Sequence, residues 1–491
     1  MIGYLFRTLT GKSATRKRLK QHFGGRPLER IVTAARTFPA ASQVDVQLAL
    51  DGFFVGRAKP TLLGIHSAFG HETPTLAHLF TRGPFPVEIG PLQHDDVDVG
   101  DPAPVRCLRN GLWLSRDQDL AFALLLSPAI QHGHVGGVHV ELAVPEGERG
   151  LEFSQRFFRD LESRVNTGGT YRGRVISLEH RHEYSGRGGA VKVHRLRSVS
   201  RAEVILPDKT LALLDRNVGS FIRARGHIKS LGLSAKKGLL FYGPPGTGKT
   251  HTIHYLASHV PEHTTLLITA EQVGLLDEYF RLARFLQPSI VVVEDVDLIA
   301  RARQQMGGAC EEVLLNKLLN EMDGLREDAD VIFILTTNRP DQLEPALASR
   351  PGRIDQAIEF PLPDEQGRAN LVKLYSRGLE LTTELLDLIV RRTRGASPAF
   401  IRELMRRAAQ FQFEIEGDGE LQQSAVDAAM EEMLFSGGSL NLKLLGGSST
   451  ELGLANEASS PSSSERVAES TGARWLARMS GGKEASAPPY A

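Results

Sequence analysis

The sequence predicts an α/β fold in which a parallel sheet carries helices on both faces, with a mixed α/β N-terminal domain before it and an all-helical segment after it. Three observations predict this. A Gly-rich run, Gly243-Pro244-Pro245-Gly246-Thr247-Gly248-Lys249-Thr250, lies between an apolar strand-like stretch and a helix-like one. Strand-like and helix-like runs alternate from about residue 200 to 361, as they do when crossover helices connect parallel strands. From 362 to 435 the pattern becomes wholly helical.

Residues 1–199 form the first region. It opens with a basic segment carrying Arg16, Lys17, Arg18, Lys20, Arg26 and Arg30, which reads either as a solvated helix face or as a contact for an acidic partner. Val138 to Val144 and Tyr171 to Leu178 alternate like strands, and Leu151 to Val165 has helical spacing. No chemical motif emerges there.

The phosphate-binding run follows the strand-like Gly238-Leu239-Leu240-Phe241-Tyr242 and leads into a helix from Thr250 to Val260. Strand, loop and helix in that order are the setting in which backbone N–H groups converge on phosphate oxygens. Glycines at 243, 246 and 248 allow the bend, and the helix start presents its positive dipole end to the same anion. Lys249 can reach terminal phosphates and the Thr250 hydroxyl can ligate Mg²⁺; His251 completes the candidate nucleotide-binding set.

A short β-branched run, Ser289-Ile290-Val291-Val292-Val293, ends in Glu294-Asp295-Val296-Asp297. Carboxylates at the end of a buried strand need a cation or hydrogen-bond donors, and beside a phosphate loop one can hold Mg²⁺ while its neighbour orients water. A third strand, Val331 to Leu335, leads into Thr336-Thr337-Asn338-Arg339-Pro340, where the Asn338 amide can reach both a γ-phosphate and an attacking water. Arg350 and Arg353 lie in the Pro/Gly-stiffened Ser349-Arg350-Pro351-Gly352-Arg353 and have the chemistry to stabilise a transferring phosphoryl group, in cis or from a neighbouring subunit. Ser397-Pro398 supplies an N-cap and first helical residue for a helix over Ala399 to Phe411. Beyond 436, Gly and Ser dominate, and such a composition reads as a disordered tail.

Composition narrows the classes. The 58 basic and 58 acidic residues cancel, which argues against a general nucleic-acid binder. Two cysteines, Cys107 and Cys310, suggest neither a disulfide framework nor a zinc site. The longest apolar stretch, Leu120 to Leu126, is far short of the roughly 20 residues a membrane-spanning helix needs. With no secretory signal at the start, the expected location is cytoplasmic.

Residues Val204 to Phe411 resemble the AAA family of ATPases. Walker A falls at 243–250, Walker B at 290–295, sensor 1 at Asn338 and paired arginine fingers at Arg350 and Arg353; Leu318 to Gly324 is similar to the inter-subunit signalling stretch. The resemblance implies a P-loop parallel αβα sandwich with a C-terminal helical lid, ATP and Mg²⁺ as ligands, and a homo-oligomeric ring, usually of six subunits, that remodels proteins chosen by residues 1–199. Gly395-Ala396-Ser397 resembles the lid position where AAA members carry Gly-Ala-Asp.

Two departures stand out. Glu294 precedes Asp295 where the family usually has Asp then Glu; in this the chain resembles the mitochondrial Rieske-protein-translocating AAA ATPase. Gln272-Val273-Gly274 stands where unfoldases carry an aromatic–apolar–Gly pore triplet. The leading expectation is therefore a chaperone-like remodelling ATPase that does not thread its substrate with aromatic paddles. The alternatives are an ATPase cap of a proteolytic complex and an ATP-dependent scaffold or switch with little turnover. No HExxH protease motif occurs. Pro489-Tyr490-Ala491 resembles the hydrophobic–Tyr–any residue ending of proteasome-activating ATPases, or is a plain frayed terminus.

Overall fold

The computed structural model describes residues 14–66, 72–80, 87–131, 134–179, 191–260, 262–297, 318, 320–322, 324, 329–341, 353–415 and 419–436. Arg350, Cys310, parts of the signalling stretch and the tail with Pro489-Tyr490-Ala491 lie outside the described residues. The chain divides into two compact units, one of residues 1–374 with 397–399 and one of residues 375–396 with 400–491.

The first unit holds two seven-stranded sheets. One is antiparallel and built from β1 (Ile31–Pro39), β2 (Thr61–His66), β3 (Glu88–Gly90), β4 (Gln93–Val97), β5 (Val105–Asp117), β6 (Leu120–Gln131) and β7 (His134–Pro145). The order is β1-β7-β6-β5-β2-β3, with β4 beside β5. A two-residue loop joins β5 to β6, with Gln118 at φ 53°, the left-handed conformation that tight hairpins use.

Helices α1 (Ala14–His22), α2 (Gln43–Phe54), α3 (Leu76–Phe80) and α4 (Glu148–Thr167) accompany this sheet. Phe122, Leu124 and Leu126 of β6 pack with Val46 and Leu50 of α2 and with Phe153, Phe157 and Leu161 of α4. The alternate residues Ala121, Ala123 and Leu125 pack with Leu19 of α1 and Leu76 and Leu79 of α3. Both faces of β6 are thus covered, which is why its sequence is a continuous apolar run and not an alternating one.

The second sheet contains β8 (Val175–Leu178), β9 (Val191–Val193), β10 (Lys237–Tyr242), β11 (Thr264–Ile268), β12 (Ser289–Val293), β13 (Val331–Thr337) and β14 (Gln356–Glu359), in the order β14-β10-β13-β12-β11-β8-β9. All neighbours are parallel except β8 and β9. The sheet therefore begins at Val175, upstream of the boundary expected near 199, because β8 pairs with the edge of β11 through Thr265 and Leu266.

Helices α5 (Asp208–Leu214), α6 (Phe221–Ser230), α7 (Lys249–His259) and α8 (Leu276–Phe285) flank these strands. Leu239, Phe241, Val292 and Ile334 pack with Leu214 of α5 and with Ile253 and Leu256 of α7. Leu240, Leu266, Val291, Val293 and Phe333 pack with Leu276, Tyr279 and Phe280 of α8. The same cluster takes in Val44, Cys107 and Tyr171 from the N-terminal part, and Arg172 hydrogen-bonds the carbonyls of Gly168, Asn166, Phe285 and Gln287.

Helix α9 (Glu365–Tyr375) follows β14 and falls almost wholly within the first unit, so the second unit starts at Tyr375 and not at 362. Among the described residues the second unit is helical, with α10 (Thr383–Arg392), α11 (Pro398–Ile415) and α12 (Gln423–Glu431). Thr382 caps α10 by accepting from the Leu385 N–H at 3.3 Å. Leu385, Ile389, Ile401, Leu404, Val426 and Ala429 are buried, and Arg407 bridges Glu403 and Glu432. Helix α11 begins at Pro398, where a missing N–H costs nothing.

Candidate active site

The carboxyl ends of β10, β12 and β13 bring together side chains from three widely separated parts of the chain. In an open parallel sheet that edge is where a crevice forms. After β10 the backbone turns through Gly243, Gly246 and Gly248 with φ of 147°, 77° and 99°, conformations that other residues rarely adopt. A Cβ on Gly243 would also lie 2.2 Å from the Phe360 carbonyl oxygen, so this position has room only for glycine. Thr247 closes the loop by donating its hydroxyl to the Pro244 carbonyl at 2.8 Å. The Ala399 N–H donates to the Gly246 carbonyl at 3.1 Å.

Lys249 is the first residue of α7 and is only 6% exposed. It donates to the carbonyls of Gly243 at 2.9 Å and Pro244 at 3.0 Å and to Asn338 Oδ1 at 2.7 Å. Burial pulls its pKa down to about 8, against the opposing pull of Asp295 and Asp297. Asn338 in turn donates its Nδ2 to Asp295 Oδ1 at 3.1 Å. Burial and the neighbouring Asp297 raise the Asp295 pKa, while Lys249 and Asn338 hold it down. Thr250 donates its hydroxyl to Glu294 Oε1 at 2.8 Å.

The order Glu294-Asp295 has a local physical reason. Asp295 sits at φ 47°, a left-handed conformation in which Asp and Asn are enriched over longer side chains. Its N–H is fixed by Thr336 Oγ1 at 2.9 Å. The shorter carboxylate thus faces Asn338, and the longer one, on Glu294, spans to Thr250.

The sequence reading did not assign a role to Asp297. It is 3% exposed and accepts from Thr337 Oγ1 at 2.9 Å and from the Asn338 N–H at 3.2 Å, so it sets the turn that aims Asn338. The signal was present as the third acid of Glu-Asp-Val-Asp, but partners on another strand cannot be read from spacing. Also unforeseen is the segment before α5: the His251 imidazole meets the Glu203 carbonyl at 3.2 Å, which sets that segment beside the first turn of α7.

Arg353 lies elsewhere. A Cβ on Gly238 would come 1.9 Å from the Arg353 carbonyl oxygen, and Gly238 exchanges hydrogen bonds with Asp355 at 2.7 and 2.8 Å. Gly238 is at the amino end of β10 and Gly243 follows its carboxyl end, about 16 Å apart at the rise of an extended strand. Lys249, Thr250, Glu294, Asp295 and Asn338 are therefore one constellation, and Arg353 is not part of it within the same chain. Arg350 lies outside the described residues.

The constellation suits a nucleoside triphosphate with Mg²⁺. A loop that only glycine can follow leads to a helix N-terminus and a buried ammonium, and the Thr250–Glu294 pair offers the hard oxygen donors that Mg²⁺ prefers.

Residues 239–362 match the family model described as ATPase family associated with various cellular activities (AAA). Among curated proteins, the chain is 35% identical over 200 residues to the 26S proteasome regulatory subunit 10B homolog A of Arabidopsis thaliana, covering 38% of this chain and 50% of that protein. It is 35% identical over 213 residues to the proteasome-activating nucleotidase of Methanothermobacter thermautotrophicus, covering 41% and 52%. It is 37% identical over 188 residues to the cell division cycle protein 48 homolog of Archaeoglobus fulgidus, covering 36% and 26%. The chain thus spans about half the length of the proteasome-type relatives it matches. The segment that the family model matches, residues 239–362, is the one that carries the constellation.

Proposed function

We propose that the protein is a Mg²⁺-dependent ATP hydrolase that works as a ring of identical subunits and spends the hydrolysis on protein substrates. The observation that carries the hydrolytic reading is the linked set Lys249–Asn338–Asp295, with Thr250–Glu294 beside it. Lys249 and the loop N–H groups hold the terminal phosphates of ATP. Thr250 and Glu294 hold Mg²⁺, which when bound neutralises charge developing on those phosphates. Asp295, its carboxylate placed by Asn338, which Asp297 aims, orients the attacking water and takes its proton. Asn338 sits between ammonium and carboxylate, where it can sense the γ-phosphate.

Arg353 lies at the far end of β10 from its own chain's site, and the ring reading assigns it to a neighbour's site. The lid role of the helical unit and substrate choice by residues 1–199 belong to the same reading, as does a cytoplasmic location. No helix among the described residues is long and apolar enough to cross a membrane.

The names of the relatives favour a more specific form, an ATPase that serves a proteolytic complex, over a free-standing chaperone. The likeness to the Rieske-translocating ATPase rests on the Glu294-Asp295 order alone. Phosphate release from ATP, measured with and without EDTA, tests the enzyme. Turnover that needs Mg²⁺ and disappears in Asp295→Asn, with ATP binding kept, is expected. Co-sedimentation with a purified 20S core particle in ATP tests the proteolytic reading, and its absence leaves the chaperone form.

A further inference from the structure

Gln272 is the residue that the sequence resemblance sets against the aromatic of the family's pore triplet, and its side chain is hydrogen-bonded within the protein. It sits in a 3₁₀ turn, Ala270–Leu275, directly after β11. Its Nε2 donates to the Leu178 carbonyl at 2.9 Å, and its Oε1 accepts from the Thr269 N–H at 3.2 Å and from the Tyr279 hydroxyl at 3.0 Å. That hydroxyl accepts from the Leu178 N–H at 2.7 Å, and Tyr279 is fully buried. Both backbone polar groups of Leu178, the last residue of β8, are therefore satisfied by one amide and one phenol from the segment after β11.

The network also reaches the nucleotide side. Thr269 follows Ile268, and the Ile268 carbonyl accepts from the Glu294 N–H at 2.9 Å. A continuous path thus runs from Glu294 through Ile268 and Thr269 to Gln272 and Tyr279, ending on Leu178. The amide suits this place: it donates to one carbonyl while accepting from an N–H and a hydroxyl, and neither a phenyl ring nor a carboxylate can do both. Tyr279 and Leu178 lie in a buried setting, where an unmade hydrogen bond costs about 1–3 kcal/mol, so the linkage has no cheap alternative.

We infer that Gln272 is a positioning residue which couples nucleotide occupancy at Glu294 to the β8–β9 edge of the sheet, in place of gripping substrate. This rests on the proposed binding of ATP at Glu294. The consequence is that the segment leading in from the N-terminal part is tied to the nucleotide site by side-chain amide chemistry as well as by strand pairing.

Hydrogen exchange at the Leu178 amide in the full chain, with and without a non-hydrolysable ATP analogue and Mg²⁺, tests it, with analogue binding measured separately by fluorescence. The wild type should bind the analogue and slow exchange at Leu178, by about tenfold for a coupling of about 1.4 kcal/mol. Gln272→Glu keeps the acceptor but loses the donor to Leu178; it should bind the analogue equally well and lose the nucleotide-dependent change. Tyr279→Phe removes only a hydroxyl and should do the same, which keeps the test open if Gln272→Glu folds poorly. A nucleotide-dependent change of the same size in wild type and both variants overturns the inference. So does a wild type that binds the analogue with no change at Leu178. A wild type that binds no analogue overturns the ATPase reading itself.

Discussion

The two sheets have seven strands each and central strands buried on both faces, yet one carries all the recognised chemistry and the other none. The difference lies in where their polar groups sit and what those groups meet. In the antiparallel sheet, two buried polar side chains each meet a single backbone group of a connecting segment. Glu141 accepts from the Leu76 N–H at 2.6 Å, and Ser127 donates to the Pro74 carbonyl at 2.7 Å, each tying a connecting segment to a strand. In the parallel sheet, polar groups from β12, β13 and the β10–α7 loop converge at one edge and leave a carboxylate, an ammonium and an amide sharing one network. Pairwise satisfaction marks structure, and convergence at strand ends marks chemistry.

The sharpest way to break this contrast is to alter the convergent edge. Lys249→Ala should reduce ATP turnover to background in a phosphate-release assay while the melting temperature stays near wild type, since a buried ammonium adds little to stability. Next, Arg353→Ala should lower kcat by about 10³ or more, as removal of an arginine finger does. Mixing inactive Lys249→Ala with inactive Arg353→Ala subunits should restore turnover, because a composite site can form between them. Mixed rings that stay inactive would count against supply from a neighbour.

The antiparallel sheet should answer in the opposite way. Phe122 is fully buried against Phe53, Phe54 and Phe153, and Phe122→Ala should cost about 3–5 kcal/mol of stability through the cavity it leaves. Turnover per folded molecule should not change. A variant with wild-type melting but a tenfold lower kcat would show that this sheet acts on the chemistry after all.

The contrast also explains what could be read from the residues. Chemistry at strand ends leaves short, ordered signatures, so Lys249, Glu294, Asp295 and Asn338 were all legible, as was the parallel alternation around them. Their pairing was not: the link of Thr250 to Glu294 and of Asn338 to Asp295 depends on strand order, which places β13 between β10 and β12. In the antiparallel sheet the run Leu120 to Leu126 showed only apolarity, because helices on both faces erase the alternation that would have marked a strand. Strands β8 and β9 were missed as members of the parallel sheet for a related reason. They are short strands with no motif; β8 joins through only two residues of β11, and β9, at the edge, pairs with β8 alone.

The amino edge of the parallel sheet gives the mildest test, because its polarity is structural. His263 is 5% exposed, and its Nε2 lies 2.9 Å from an Arg225 guanidinium nitrogen that also pairs with Asp330. Burial, followed by the Arg225 charge, pushes the His263 pKa from 6.5 down to about 4. The folded protein therefore keeps this ring neutral, while the unfolded chain takes up a proton near pH 6.5. Stability is fully present above that pH and falls as the pH drops toward 4, by on the order of 3 kcal/mol for this group. His263→Gln can still accept from Arg225 but cannot titrate, so its melting temperature should fall less steeply than wild type between pH 6.5 and 5, where few carboxylates titrate. Its turnover at pH 7.5 should equal wild type, because the carboxyl-end network is untouched. Parallel melting curves would remove His263 from the acid response, and a loss of turnover would mean that the amino edge, too, feeds the active site.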